Sequence, residues 1–324
     1  WTLIITGVAL FMTALDNLIV GVALPTIRAD LGGSIEALEW TVNAYTLTFA
    51  VLLITGAALG DRFGRRRMFM IGVGIFTAAS AAAALAPSLD VLIAARAVQG
   101  AGAAIVTPLT LTLVSGAFPP EKRGAALGIW GGISGLGVAL GPLVGGAVIE
   151  GISWHWIFWV NVPVGLVLIP LAWRNLEEST GPDKALDLPG LGLVGAGLFG
   201  LTFGIIRGES MGWTSTPIVA SIVTGLALLG AFVAWELRSK EPMLPMRFFK
   251  RRAFSATNGL SFSMFFGTFG AIFLLSQFFQ TAQGLGPLEA GLRTLPWTAM
   301  PMVVAPIAGL LSDRNGTRPL MFTG

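Results

Sequence analysis

Charged residues are absent from long stretches of this chain. The runs 40–60, 68–89, 124–149, 151–173, 188–206, 210–235, 253–288 and 294–312 contain no Asp, Glu, Lys or Arg. Two further runs hold a single charge each: 1–27 around Asp16 and 91–120 around Arg96. An apolar stretch of about 18 residues or more is long enough to cross a bilayer as a helix. Only 11% of the residues are charged and 54% are hydrophobic, with mean hydropathy +0.78. A soluble domain carries about 25% charge, and a core of this size has no room for ten buried apolar helices. The expected class is an all-α polytopic membrane protein with ten spans.

The basic residues sort by side. With odd-numbered spans running outward, the inner loops hold Arg62, Arg65, Arg66, Arg67, Lys122, Arg123, Arg174, Lys184, Arg238, Lys240, Arg247, Lys250, Arg251, Arg252, Arg314 and Arg318, sixteen of the twenty Lys and Arg. Arg28, Arg207 and Arg293 fall at the outer face, and Arg96 lies within a span. The positive-inside rule then puts the N-terminus in the cytoplasm. A net charge of +3 distributed this way needs no nucleic-acid partner. There is no cysteine and only one histidine, His155. That leaves no thiol chemistry, and no metal site of His and Cys is expected. A membrane enzyme would need a catalytic constellation near one face, which so few polar residues in the spans do not supply. The chain opens on Trp1 inside an apolar run and stops at Gly324 after a charged loop, so it reads as part of a longer protein.

Polar stretches divide the chain. Residues 1–176 read as a first bundle of six spans, closed by "RNLEESTGPDKALD". Two inserted spans follow in 187–236, then the linker 237–252, whose Met, Phe, Lys and Arg suit a membrane surface. Residues 253–324 read as the start of a second bundle. A weak repeat relates the two bundles: "GAALGDRFGRRR" follows the second span and "GLLSDRNGTRP" follows the tenth. Transporters are often built from such repeats, with the substrate site between halves.

The repeated loop is a candidate conformational latch of Asp61, Arg62, Gly64 and Arg65 with Asp313 and Arg314. Asp61 would meet a basic group or a helix N-terminus of the other bundle in one state only. The plainer reading is a positive-inside anchor. In the fifth span, Gly137, Gly141 and Gly145 recur every fourth residue beside Pro142 and Gly146. Each glycine costs about 1 kcal/mol and the proline about 3 in a water-exposed helix. In lipid, small residues let helices approach closely. The run meets no phosphate-loop pattern. It is expected to be a kinked contact face that packs on the other bundle.

Asp16 is a carboxylate in mid-span, which is expensive in lipid and usually functional. Burial favours its neutral form and a nearby cation favours its ionised form. Arg96 is that cation. At 1.5 Å per residue it lies about 9 Å into span four, Gln99 about 14 Å into it, and Asp16 about 14 Å from the end of span one at Pro25. The three are expected to form one polar cluster for proton coupling, with a static buried ion pair as the alternative. Asn43, Tyr45, Asn161, Asn258, Gln277 and Gln280 are candidate residues of a substrate cavity, and helix–helix hydrogen bonding explains them equally well. Trp154, His155, Trp156 and Trp159 suggest an interfacial belt.

"LDNLIVGVALP" (15–25), "LGDRFGRRR" (59–67), "RAVQGAGAA" (96–104), "GVALGPLVGG" (137–146) and "WHWIFWVNVPVG" (154–165) together resemble the signatures of the major facilitator superfamily, specifically its fourteen-span drug:proton antiporters. Ala57 stands where that family usually has Gly, and His155 where Arg is commoner. The resemblance implies the major facilitator fold, with ten of fourteen spans present. It implies a monomeric exporter of small lipophilic or cationic drugs in the bacterial inner membrane, with the proton as coupling ion and no cofactor. It also makes Arg96 a residue of proton transfer, and the fifth-span glycines an antiporter signature. A same-fold exporter of one metabolite, siderophore or antibiotic is the alternative, and a non-transporting sensor or channel a remote one.

Overall fold

The computed structural model describes residues 1–181, 187–239, 242–285 and 287–316, apart from some side chains within the helices. Among the described residues every regular element is a helix. The first group is α1 (Thr2–Leu31), α2 (Ile35–Phe63), α3 (Arg65–Ala84), α4 (Leu89–Ala117), α5 (Pro120–Gly151), the short α6 (Trp156–Trp159) and α7 (Asn161–Asn175). Then come α8 (Leu188–Met211), α9 (Thr216–Glu236), α10 (Arg252–Gln277), α11 (Pro287–Thr298) and α12 (Met300–Asn315). Eight helical segments among the described residues are long and apolar enough to cross a bilayer, with α6 and α7 together forming one of them. The described residues of the runs 253–288 and 294–312 are carried by α10 to α12, where a π-turn at Phe278–Ala282 follows α10, Pro296 lies inside α11, and a turn at Ala299 separates α11 from α12.

Local chemistry sets the ends. Gly32 and Gly33 take positive φ values of 70° and 99° after α1, and Ser34 caps α2 by accepting the Ala37 N–H at 3.2 Å. Gly64, at φ 103°, turns α2 directly into α3. Asp187 caps α8, accepting the Gly190 N–H at 2.9 Å.

The helices separate into two compact units, one holding α1–α7 and α12, the other α8–α10. In the first unit α4 is the central helix, packed along α2 and α3, while α1 packs on α5 and α3 on α7. Glycine permits the closest approaches. A Cβ on Gly56 would meet the Ala104 carbonyl, one on Gly100 the Tyr45 carbonyl, and one on Gly102 the Phe76 backbone nitrogen at 2.7 Å. Two apolar layers result. Ile19, Ile27, Leu92, Trp154 and Phe158 fill one, and Ile5, Phe69, Val106, Leu109 and Leu168 the other. Trp154 is therefore core, 2% exposed with its indole N–H bonded to Asp30 at 2.9 Å, and not part of an interfacial belt. In the second unit α8 and α9 cross closely at Gly200 and Gly225, and Ser221 donates to the Gly200 carbonyl at 2.7 Å.

The fifth span differs from expectation in the partner of its glycine face. It is helical through all its glycines and Pro142, for 32 residues. Its glycine face also packs inside the first unit. Cβ atoms on Gly137, Gly141 and Gly145 would lie 3.0, 2.9 and 2.7 Å from Ala14, Leu18 and Ile19 of α1. Gly146 is buried, and the Pro142 side chain lies outside the described set. The helix after the linker, α12, meets α5 further upstream, where Gly128 touches Ala305 and Gly309 touches the Gly124 backbone. The spacing identified a close-contact surface correctly but not the helix that uses it.

A side chain at Gly102 would have to push the α3 backbone away. Gly102→Leu is expected to destabilise the bundle by about 1–3 kcal/mol, seen as a lower thermal unfolding midpoint in detergent. Gly259→Leu, where nothing lies within 4 Å, is expected to leave the midpoint unchanged.

Candidate functional site

A polar cluster sits between the two apolar layers of the first unit. Asp16 comes from α1, Ser80 from α3, Arg96 and Gln99 from α4, and Asn161 from the first turn of α7. Asp16 is 1% exposed, Asn161 2%, and Arg96, Gln99 and Ser80 are fully buried. Arg96 and Gln99 share a face because they are three residues apart on one helix. The glycine-lined crossings bring α4 close enough for both to reach α1.

Hydrogen bonding ties the cluster together. Asp16 Oδ2 accepts Arg96 Nη1 at 2.5 Å, and Oδ1 accepts Gln99 Nε2 and Asn161 Nδ2, each at 2.8 Å. Three donors converge on one carboxyl, and every hydrogen bond shown to it uses it as an acceptor. Gln99 also accepts Arg96 Nη1 at 2.7 Å and donates to Ser80 at 2.7 Å. Arg96 Nε donates to the Thr41 carbonyl at 3.0 Å. The guanidinium carbon lies 4.3 Å from the Tyr45 ring centre and 5.8 Å from that of Phe158. Arg96 Nη2 is buried and meets no hydrogen-bond acceptor among the described residues. The ring faces offset part of that cost. The pair is neutral overall, which is what makes it tolerable at such depth.

The structure thus brings Asp16, Arg96 and Gln99 together, and adds Asn161 and Tyr45 to them. Ser80 and the Thr41 carbonyl belong to the cluster but carry no signal in the sequence. Serine in a spanning helix is usually bonded to its own backbone, and a carbonyl has no residue code. Of the other cavity candidates, Asn43 is half-buried two residues before Tyr45, on another face of α2. Asn258 is exposed on α10 and donates to the Phe254 carbonyl at 2.8 Å. The side chains of Gln277 and Gln280 lie outside the described set, as do those of Asp313 and Arg314.

The turn between α2 and α3 forms a second polar constellation. Asp61 accepts Arg65 Nε at 2.9 Å within its own loop. The backbone after α7 lies along the turn: Arg65 N–H donates to Ser179 O and Gly181 N–H to Asp61 O, both at 2.8 Å. Glu178 places its carboxylate on the Arg66 and Arg67 N–H groups at 3.0 and 3.1 Å. It is the anion at the α3 N-terminus. Arg66 Nη1 donates to Leu176 O at 3.2 Å near the end of α7. Arg62 lies over the Phe63 ring at 5.2 Å. In sequence Asp61 is the latch candidate, while Glu178 lies 112 residues from its Arg66 partner and carries no local signal.

Membrane-length helices around a buried carboxylate–guanidinium pair define a multi-pass membrane protein with an internal polar site. Residues 6–324 match the model of the Major Facilitator Superfamily, and the chain belongs to that superfamily. It is 38% identical over its whole length to "Multidrug resistance protein Stp" of Mycobacterium tuberculosis, covering 60% of that protein. It is 35% identical to the "Tetracenomycin C resistance and export protein" of Streptomyces glaucescens, over 97% of this chain and 59% of that one. It is 34% identical to "Multidrug transporter protein MdtP" of Bacillus subtilis, over 100% of this chain and 60% of that one. The chain therefore spans about three fifths of the length of these relatives. In fold it is similar to the proton:xylose symporter XylE, with TM-score 0.65 at 16% identity over 98% of this chain and 70% of that one. It is also similar to a peptide transporter bound to sulfate, with TM-score 0.60 at 16% identity over 98% of this chain and 68% of that one.

Glu178 is a third exposed, so its contribution is screened. Glu178→Ala is expected to cost about 1 kcal/mol. The readout is a lower unfolding midpoint at low salt, with the difference from wild type shrinking at high salt. An unchanged midpoint at both would show that the carboxylate does not hold the turn.

Proposed function

We propose that the protein of which this chain is part exports small, lipophilic or cationic compounds from the cytoplasm in exchange for protons, by alternating access. The observation that carries the reading is the Asp16–Arg96 pair, in mid-span and closed to solvent. Protonating Asp16 removes its charge and gives it a hydrogen to donate. Three donors already converge on it, and loss of the charge weakens the hold of all three, most of all that of the guanidinium. The neutral and ionised carboxyls therefore favour different helix arrangements. That difference lets a proton bias a conformational equilibrium. Each charge moved adds about 2.3 kcal/mol per 100 mV of membrane potential.

The names of the relatives support an exporter. Two of those reported above are called multidrug proteins and one a tetracenomycin C resistance and export protein. The last name keeps a second reading in view, an exporter dedicated to one metabolite or antibiotic. A panel of unrelated compounds tested in energised vesicles separates the two. Under both, the transporter works as a monomer, with the proton as its only coupling species and its N-terminus in the cytoplasm.

In such vesicles, with a pH-sensitive dye, Asp16→Asn is expected to abolish both uphill transport and compound-induced proton movement while binding persists. Uphill transport with normal pH dependence in that variant would overturn the coupling role. Gly141→Leu drives a side chain into Leu18 of α1, where a Cβ alone would lie at 2.9 Å. It is expected to insert in the membrane normally yet transport at a small fraction of the wild-type rate. Unchanged coupling would reduce the α1–α5 contact to packing.

A further inference from the structure

The second half of the linker between α9 and α10 is one-signed. Arg247, Lys250, Arg251 and Arg252 stand within six residues, and no Asp or Glu occurs from 242 to 288. Among the described residues, none of these four cations is in an ion pair. The chain here forms a 3₁₀ turn, Met246–Lys250, and enters α10 at Arg252. Leu244 N–H donates to Glu236 at 2.9 Å, which ties the linker to the end of α9. The end of one apolar run and the start of the next thus bracket the turn, at one membrane surface.

Aromatic groups complete it. Phe248, Phe249 and Phe254 are 37%, 42% and 36% exposed. Phe254 is contacted by Phe248 at 5.8 Å and edge-on by Phe249 at 5.1 Å between ring centres. A cleft of about 420 Å³ opens between Phe248, Arg251, Ala253, Phe254, Thr257 and Asn258. Thr257 and Asn258 each donate one hydrogen bond to their own helix, to Ala253 O and Phe254 O, which leaves their oxygens as acceptors. The cleft offers apolar rings on one wall, a guanidinium at the rim and hydrogen-bond acceptors beyond it.

We propose that this cleft binds an anionic phospholipid of the leaflet at which α9 ends and α10 begins. The upper acyl chain and glycerol lie against Phe248 and Phe254, and the phosphate meets Arg251 with Arg247, Lys250 and Arg252 around it. Unneutralised cations beside exposed aromatic rings match the charge and polarity gradient of an anionic membrane surface. The binding is independent of which compound is transported and of whether protons drive it.

The test is native mass spectrometry of the purified protein, counting phosphatidylglycerol retained against phosphatidylcholine. Wild type is expected to retain phosphatidylglycerol preferentially. At about 1 kcal/mol per cation, K250Q/R251Q is expected to lose that preference about tenfold or more, and K250R/R251K to keep it. F248A/F254A keeps every charge and is expected to lose retention severalfold, so the proposal stays testable should the first variant fail to fold. Added inorganic phosphate is expected to leave lipid retention unchanged. Equal retention of the two lipids, folded variants that bind as wild type, or displacement by free phosphate would each overturn the proposal.

Discussion

The first unit is organised around one buried ion pair. Asp16 and Arg96 have fully buried side chains, and either alone in hydrocarbon would be intolerable. Their joint neutrality is what lets both be there. That neutrality requires α1 and α4 to stay in contact, and the amides of Gln99 and Asn161 both donate to the second oxygen of the carboxylate. The requirement spreads outward. For α4 to carry Arg96 inward while packing on α2 and α3, its own surface has to be smooth, and Gly100 and Gly102 make it so. Apolar layers above and below exclude water from the pair. Exclusion strengthens the attraction and raises the penalty for separating the partners.

Much of this was legible in the sequence, because hydrocarbon makes few demands and makes them strictly. Charge-free runs locate the spans. A charge that breaks such a run must find a partner, and counting residues from the membrane edge put Asp16, Arg96 and Gln99 at compatible depths. Asn161 reads from the sequence as a cavity residue. It opens α7 just after an aromatic segment, and nothing local says that its amide turns toward α1. Ser80 and Thr41 left no trace, since hydroxyls and carbonyls in membrane helices ordinarily bond within the helix.

The glycine-rich span shows where pattern reading stops. Spacing every fourth residue reveals a surface for close contact and does not name the partner. On α5 two such surfaces follow one another. The downstream set, Gly137 to Gly145, receives α1, and the upstream pair, Gly124 and Gly128, receives α12. The α2–α3 turn teaches the same lesson for charge. Its arginines suggest topology and its aspartate suggests a latch, yet the carboxylate that seats on the α3 N-terminus is Glu178, far along the chain.

These two features of α1 are linked. Ala14 and Leu18 rest on Gly137 and Gly141 of α5, while Asp16, between them in sequence, turns the opposite way into the polar cluster. Any movement of α1 that loosens Asp16 from Arg96 is therefore a movement of α1 over the glycine face. A glycine surface has no side chains to interlock, so such a shift meets little steric resistance. A leucine at Gly141 would convert the smooth contact into a ratchet tooth. In the proposed cycle the antiporter signature and the carboxylate act through one helix. In that cycle, we propose, the glycines let α1 take up two positions and the proton on Asp16 decides between them.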